Sequence, residues 1–445
     1  MAVHRIVIAG GGFGGVYTAL ELEKLLTNQR DVEVTLISHD NFFLFTPMLH
    51  EVAASDLDLT TIVNPIRKML RKVNFIAGDI QSIDLENRKL TVLHGLDRHE
   101  HTQEFDQIVL SLGCTTNFFG NAGLEENAIT MKSLEDAVNL RNRMIAIMEE
   151  ADTECGEKVR RPLLTIVTAG GGFAGVETLA SINDFLRDSL KFYRNIKESD
   201  LRIVLIHPGD VILPELGPEL GAYTQRKLQE RGIEVLTKTR VTGYDGHVIT
   251  LNNGSSIESR TLIWTAGTTP HMLLNTLPCK TEKGRVVVNA RMEVEAQPGV
   301  WALGDCAVVP DLTTGKFCPP TAQHALRQAR TLAQNIVAYW RGGKMKQFRF
   351  KTIGQLASIG HRTGVARVFG INFSGFVAWW MWRTIYLSKL PRFEKKLRVA
   401  LDWTLDLFFS KDLVQFVDFG RQGTKHIQRL QTSKSLDREN VAQAG

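Results

Sequence analysis

Short apolar runs that break into glycine, each followed by helical spacing, recur along this chain. Ile6-Val7-Ile8 is the first. It reads as a buried parallel strand that breaks at Gly10, and residues 16–26 then carry a helical pattern. Residues 32–37 read as a second strand and 73–93 as short strands turning at Asp79 and Asn87. Residues 105–113 read as another buried strand, ending at Gly113. Residues 133–151 are predicted helical: Ser133 suits an N-cap with Asp136 three residues on, and Leu134, Val138, Leu140 and Ile145 form a stripe. Residues 152–162 are polar and read as a linker. The alternation then restarts with strands at 163–169 and 201–206, a helix at 217–232 and short strands over 233–248. Apolar strands at 260–270 and 300–305 and a helix from Ala322 complete it.

The glycine clusters give this α/β alternation its meaning. Gly10, Gly12 and Gly15 form G-x-G-x-x-G between a strand and a helix, with Phe13 and Gly14 completing the turn. Gly10 permits the tight turn, Gly12 lets a pyrophosphate approach the backbone, and Gly15 lets the helix pack against the strand. Free N–H groups at the positive helix end receive phosphate. The motif returns 160 residues later, with Gly170, Gly172, Phe173 and Gly175 on the same spacing. Either copy alone could be a turn without ligand; two copies behind strands point to two Rossmann-like dinucleotide-binding domains. The first of these domains (1–125) is interrupted by the second (126–280) and resumes over 281–345. A C-terminal region follows over 346–415, and 416–445 is polar and expected to be disordered.

An acid commonly ends the second strand of such a unit and bonds ribose. Ser38 stands there in the first unit, ahead of His39 and Asp40, and His207 in the second. His207 neither bonds a 2′-hydroxyl strongly nor repels a 2′-phosphate, so NADH and NADPH both remain open. Residues 41–49 are too aromatic for a solvent loop. They are core, or the cover of a flavin ring with Thr46 and Pro47 near its edge. Gly113 and Gly267 fit the rims of nucleotide sites. Gly304 and Asp305 fit a ribityl hydroxyl or a flavin-side phosphate, with capping as the plainer role for Asp305. Glu177 puts a carboxylate in the first helical turn of the second unit. There it either stabilises the helix N-terminus by about 0.3–1 kcal/mol or lies beside a nicotinamide.

Composition narrows the class. Hydrophobic residues make up 43% and charged residues 23%, as in globular proteins. A net charge of +5 without a Lys/Arg run interleaved with aromatics before residue 340 gives no sign of nucleic acid. The 5 cysteines are scattered and form no C-x-x-C, which suits a reducing compartment and argues against a disulfide framework or a metal. A first strand at residue 5 leaves no room for a signal or transit peptide ahead of it. The longest charge-free apolar stretch, 368–382, is 15 residues, short of the ~20 that a spanning helix needs.

The fragments AGGGFGG (9–15), FLFTPMLHEVA (43–53), AGGGFAGVE (169–177), IWTAG (263–267), ALGD (302–305) and PPTAQHALRQA (319–329) together resemble the type II NADH:quinone oxidoreductases. These are single-subunit alternative NADH dehydrogenases, and the resemblance runs over about 5–415. It implies a non-covalent FAD at the first fingerprint, a nicotinamide nucleotide at the second, and a quinone on the other side of the flavin. In the family's AQxAxQQ quinone motif, Ala322, Gln323, Ala325 and Gln328 match, while Arg327 replaces the first of the paired glutamines. Glu177 matches the glutamate of the family's GVE segment. The resemblance also implies a homodimer through the C-terminal region.

That region points the same way by its own chemistry. Residues 371–390 and 392–409 read as two amphipathic helices, rich in Trp379, Trp380 and Trp382. Arg383, Lys389, Arg392, Lys395, Lys396 and Arg398 face one acid, Glu394. Such a pair suits lying in a membrane interface over 371–409 rather than crossing it; a lid over the flavin domain or a dimer interface is the alternative. The expected protein is therefore a peripheral membrane enzyme, on the cytoplasmic face of a bacterial inner membrane. It passes hydride from NADH, or NADPH, to FAD and two electrons to quinone without proton pumping, with Glu177, Gln323 and Gln328 as catalytic candidates. The rivals are a sulfide:quinone oxidoreductase-like flavoenzyme, which needs a cysteine pair beside the flavin, and a redox sensor that binds FAD and NAD(H) without turnover.

Overall fold

The computed structural model describes residues 3–416, so the expectation of a disordered polar tail falls, apart from Phe416, outside the described residues. Its largest sheet has the strand order Val300–Ala302, Gln107–Leu110, His4–Ala9, Val32–Ser38, Asn74–Asp84, Lys89–His94, His99–Glu104. The first five run parallel, and the last two fold back antiparallel. Ile6, Val7, Ile8, Ile108 and Val109 are fully buried, which is why these strands read as continuous apolar runs rather than alternating ones. Register puts Ala9 beside Ile37 and Leu110, and Leu110 beside Ala302. The strand ends at Gly10, Ser38, Ser111 and Leu303 therefore share one edge. Val300–Ala302 joins this sheet only after the whole second sheet has been made.

The second sheet is all parallel, in the order Ile129–Thr130, Thr261–Trp264, Thr165–Ala169, Arg202–Ile206, Ile233–Leu236. The chain crosses between the two sheets twice, and the crossings pair as an antiparallel ribbon of Cys114–Thr116 with Thr268–Pro270. Gly113 and Gly267 sit at its ends: His271 N–H donates to Gly113 O and Asn117 N–H to Gly267 O. The ribbon thus ties the carboxyl ends of both sheets together, where ligands of open α/β folds bind.

Helix Leu134–Thr153 carries a complete capping box, Ser133 with Asp136. Two readings are corrected. Part of the expected linker is a helix, Glu157–Leu163, anchored by buried Leu163 under an otherwise charged sequence. Residues 371–375 do not begin a helix. Ile371–Gly375 is the third strand of an antiparallel sheet with Gly354–Ser358 and Gly364–Val368. Gly375, at φ +72°, turns the chain into helix Phe376–Lys389, and helix Phe393–Leu405 follows.

Candidate active site at two nucleotide cradles

The two fingerprints fold into matching cradles. Gly10 and Gly170 take φ of +111° and +117°, which only glycine adopts without strain. A Cβ on Gly10 would lie 2.3 Å from Ser111 O, and one on Gly170 would lie 2.5 Å from Thr265 Oγ1. A Cβ on Gly15 would meet Gly10 O at 1.8 Å, and one on Gly175 would meet Gly170 O at 1.8 Å. Gly12 and Gly172 instead face open space, with nothing within 4 Å. Each caps a helix, Phe13–Leu25 or Phe173–Ser189, that has no side-chain cap and no acid in its first turn. Unshielded N–H groups at a positive helix end, beneath a gap where a side chain is missing, fit a pyrophosphate. Both cradles therefore fit the dinucleotides expected of them.

Ser38 and His207 occupy equivalent places. The Ser38 hydroxyl lies over Gly11, and the His207 ring lies over Gly171 and accepts its N–H at Nδ1, 3.2 Å away. That bond leaves the His207 proton on Nε2. Asp305 accepts a hydrogen bond from the Cys114 thiol at 3.2 Å. Thr46 and Pro47 form one turn of 3₁₀ helix, Thr46–Met48. The aromatic segment beside them is largely core: Phe43 and Phe45 are buried and pack on Phe13, with ring centroids 4.9 and 5.9 Å away.

Glu177 sits in the second turn of helix Phe173–Ser189, not in the first turn as expected, because the helix starts at Phe173; it is therefore not an N-terminal capping acid, and it is 8% exposed. Its Oε1 accepts the Ser358 N–H at 3.0 Å and the Trp382 indole N–H at 2.9 Å, so both C-terminal elements reach it. Burial pushes its pKa up to about 8, against the downward pull of those two bonds. His50 Nε2 is 4.0 Å away, but burial holds that imidazole down to about 3. At pH 7 this is a neutral acid beside a neutral base, not an ion pair. His50 Nδ1 bonds Ser181 Oγ at 3.0 Å, while Nε2 has no protein partner. Trp382, Tyr386 and Phe45 continue the wall, with centroids 4.8 and 6.2 Å apart in turn.

Residues 4–329 match the family model of the pyridine nucleotide-disulphide oxidoreductases, and residues 353–412 match the NDH2 C-terminal domain. The chain is 31% identical over 424 residues to the type II NADH:quinone oxidoreductase Ndh of Mycobacterium tuberculosis, covering 92% of this chain and 89% of that protein. The chain belongs to the type II NADH dehydrogenase family. It is also 32% identical to the demethylphylloquinone reductase NdbB of Synechocystis, over 90% of this chain and 95% of that one. In fold it resembles NDH2 of Plasmodium falciparum solved with NADH, at a TM-score of 0.85 and 21% identity, covering 92% of this chain and 99% of that one.

Against this family frame, the quinone-motif residues divide. Gln328 is 2% exposed, and its Oε1 accepts the Gly304 N–H at 2.8 Å, so it fixes the loop that carries Asp305. Gln323 Nε2 donates to Gly354 O at 3.3 Å, tying helix Ala322–Trp340 to the C-terminal sheet. Arg327 stacks on Phe350 at 4.1 Å and donates to Gln323 O. Two basic residues expected on the membrane face point inward. Lys395 is 6% exposed and donates to Thr60 O, and Arg383 lies between Trp379 and Trp403. Sequence reasoning passed over His50 and Glu51. Their signal was an ionisable pair inside an apolar, aromatic run.

Proposed function

We propose that this chain oxidises NADH at a membrane surface, with Glu177 holding a proton where the nicotinamide, flavin and quinone chemistry meets. The family's activity is FAD-dependent electron transfer from NADH to quinone, without proton pumping. Bound FAD supplies the redox chemistry, taking two electrons as hydride and giving them up to the quinone. The chain supplies position and electrostatics. The Gly10–Gly15 cradle would hold the FAD pyrophosphate, with Asp305 toward the ribityl side, and the Gly170–Gly175 cradle would hold that of the nucleotide. Gln323 and Gln328 position the loop and strand beside them. The observation that carries the reading is Glu177: a buried, neutral carboxyl on the nucleotide domain, bonded directly to the C-terminal sheet and to helix Phe376–Lys389.

Those helices support a lipid partner. Lys395, Val399 and Trp403 turn inward along helix Phe393–Leu405, while Phe393, Leu397, Leu401 and Leu405 are 48–79% exposed. Trp380, Phe408 and Phe409 extend this apolar face. Full burial of such side chains contributes about 1.5–3 kcal/mol each, and partial insertion into a headgroup layer secures a fraction of that. Among the described residues no helix is long and apolar enough to cross a membrane. We place the face against the leaflet on the NADH side, the cytoplasmic one in a bacterium; pairing with a second copy through the same region is the competing outcome.

The test is direct. Purified protein should show a flavin spectrum that NADH bleaches anaerobically and a soluble quinone restores with turnover. Glu177→Gln should slow turnover without loss of FAD. Failure of either nucleotide to bleach the flavin, with bleaching by sulfide, would overturn the reading.

A further inference from the structure

The overall reaction is NADH + H⁺ + quinone → NAD⁺ + quinol. A C–H bond breaks on the nicotinamide and two O–H bonds form on the quinol. Hydride accounts for the electron pair and one hydrogen, so the other proton comes from water. Glu177 is buried, and this proton must reach it.

Helix Leu49–Ala53 carries His50 and Glu51 in sequence. Neighbours on a helix point about 100° apart, so the two face different partners. His50 faces Ser181 and Glu177. Glu51, 5% exposed, faces the C-terminal helices, and its Oε2 accepts the Trp403 indole N–H at 3.2 Å. The Arg383 guanidinium, held between Trp379 and Trp403 with both rings 4.4 Å away, acts on Glu51 from helix Phe376–Lys389. Asp56, from the turn after Glu51's own helix, and Asp406, one turn beyond Trp403, also act on it, and Glu51 in turn acts on Glu177. Asp56 pairs with Lys411 at 2.5 Å, near the surface.

Several side chains of this cluster carry buried polar atoms without a protein partner: His50 Nε2, Arg383 Nε, Asp406 Oδ2 and, on the residue that acts on Asp406, Asp402 Oδ2. Buried donors and acceptors of this kind are what bridging water joins. We propose that Glu51 is a second proton-holding carboxyl, passing the proton taken from water at the Asp56–Asp406 group inward to Glu177.

Burial raises Glu51 to about 8, more than Arg383 lowers it, and raises Asp406 to about 7. With Glu177 at about 8, three carboxyls in succession can take and release a proton near neutral pH. Glu51 touches neither nucleotide nor ring, so it acts through Glu177, and the proposal rests on that residue's assignment above.

Glu51→Gln keeps an oxygen for Trp403 but cannot carry a proton. In anaerobic stopped flow, its flavin should be bleached by NADH at the wild-type rate. Reoxidation by quinone should slow at least about tenfold, most above pH 8. The infrared band of a protonated carboxyl that shifts in deuterium oxide should weaken. Asp406→Asn, at the outer end, should slow the same half-reaction less, and it serves if Glu51→Gln fails to retain FAD. Wild-type reoxidation and pH profile in both variants would overturn the relay. If Glu177→Gln alone is slow, the relay falls and the proposed function stands. If Glu177→Gln is itself unaffected, the assignment on which the relay rests falls.

Discussion

Replacing Glu177 with glutamine should make the protein more stable as the pH rises. The carboxyl titrates near 4.5 when unfolded and at about 8 when folded, because burial penalises its charged form. The folded state therefore binds a proton that the unfolded state has lost between those values. Stability linked to this group is fully present below about pH 4.5 and is lost as pH rises through 8. At 1.36 kcal/mol per unit, the loss is at most about 5 kcal/mol, reached above pH 8. Glutamine cannot ionise, fits the same space, and offers an amide oxygen to Ser358 N–H and Trp382. Two features bear on the measurable difference. The neighbouring Glu51 titrates in the same range and remains, and its repulsion of the Glu177 carboxylate, part of the wild-type cost, is already gone in the variant. A difference of at least ~1.4 kcal/mol, one unit's worth, should survive. The assay is chemical or thermal unfolding of FAD-loaded protein across about pH 5.5–9, reading the midpoint against pH. The Glu177→Gln curve should be flatter than wild type, with the gap widest at the alkaline end. Parallel curves would refute the reasoning, because they would mean the carboxyl ionises in place at little cost.

Other consequences are as specific. Gly15→Ala cannot be accommodated at 1.8 Å from Gly10 O and should lose FAD or fail to fold, whereas Gly12→Ala should fold and bind FAD at least about tenfold more weakly in an equilibrium titration, since its methyl enters the phosphate space alone. Leu397→Glu with Leu401→Glu should abolish flotation with anionic vesicles while leaving NADH oxidation by a water-soluble quinone within about twofold of wild type. His207→Glu should raise the KM for NADPH relative to NADH by at least about tenfold, as a carboxylate there repels a 2′-phosphate and accepts from a 2′-hydroxyl. An unchanged ratio would remove His207 from nucleotide selection.

What the sequence disclosed was local. Each cradle is set by glycines within six residues, and the same spacing forces the same backbone, so its geometry could be read off directly. The return of Val300–Ala302 to the first sheet was legible because ALGD sits at the end of an apolar strand. The C-terminal sheet was not: its strands have five residues each, and glycines at 354, 364 and 375 break any alternation. The proton-holding cluster was hidden for a different reason. His50 meets Ser181 across 131 residues, and Glu51 meets Trp403 across 352, so no window of sequence contains both partners. Lys395 and Arg383 misled because their charge suggested a surface, whereas carbonyl, aromatic and carboxylate partners compensate them inside.

The near identity of the two cradles sharpens the question of how the chain tells two dinucleotides apart. Backbone cannot do it, because Gly10 and Gly170, and Gly15 and Gly175, match within a few tenths of an ångström in their closest approaches. Discrimination must come from what surrounds them. Around the first cradle, Phe13, Phe43 and Phe45 interlock and run on to Tyr386, and the cover comes partly from the C-terminal helix. That helix also presents Trp382 to Glu177, in the second turn of the second cradle's helix. One element thus packs on the aromatic cluster of the first cradle, bonds a residue of the second cradle's domain, and leads into the exposed apolar face. A displaced C-terminal helix would lose all three at once, which puts Trp382 between the exposed apolar face and the Glu177 carboxyl. Trp382→Phe keeps the packing and removes the hydrogen bond, which at about 1.5–3 kcal/mol to a charged group should raise the Glu177 pKa by about one to two units. The alkaline limb of quinone turnover should move up with it, and vesicle binding should not change. An unmoved limb would mean that the Trp382 hydrogen bond does not set the Glu177 pKa.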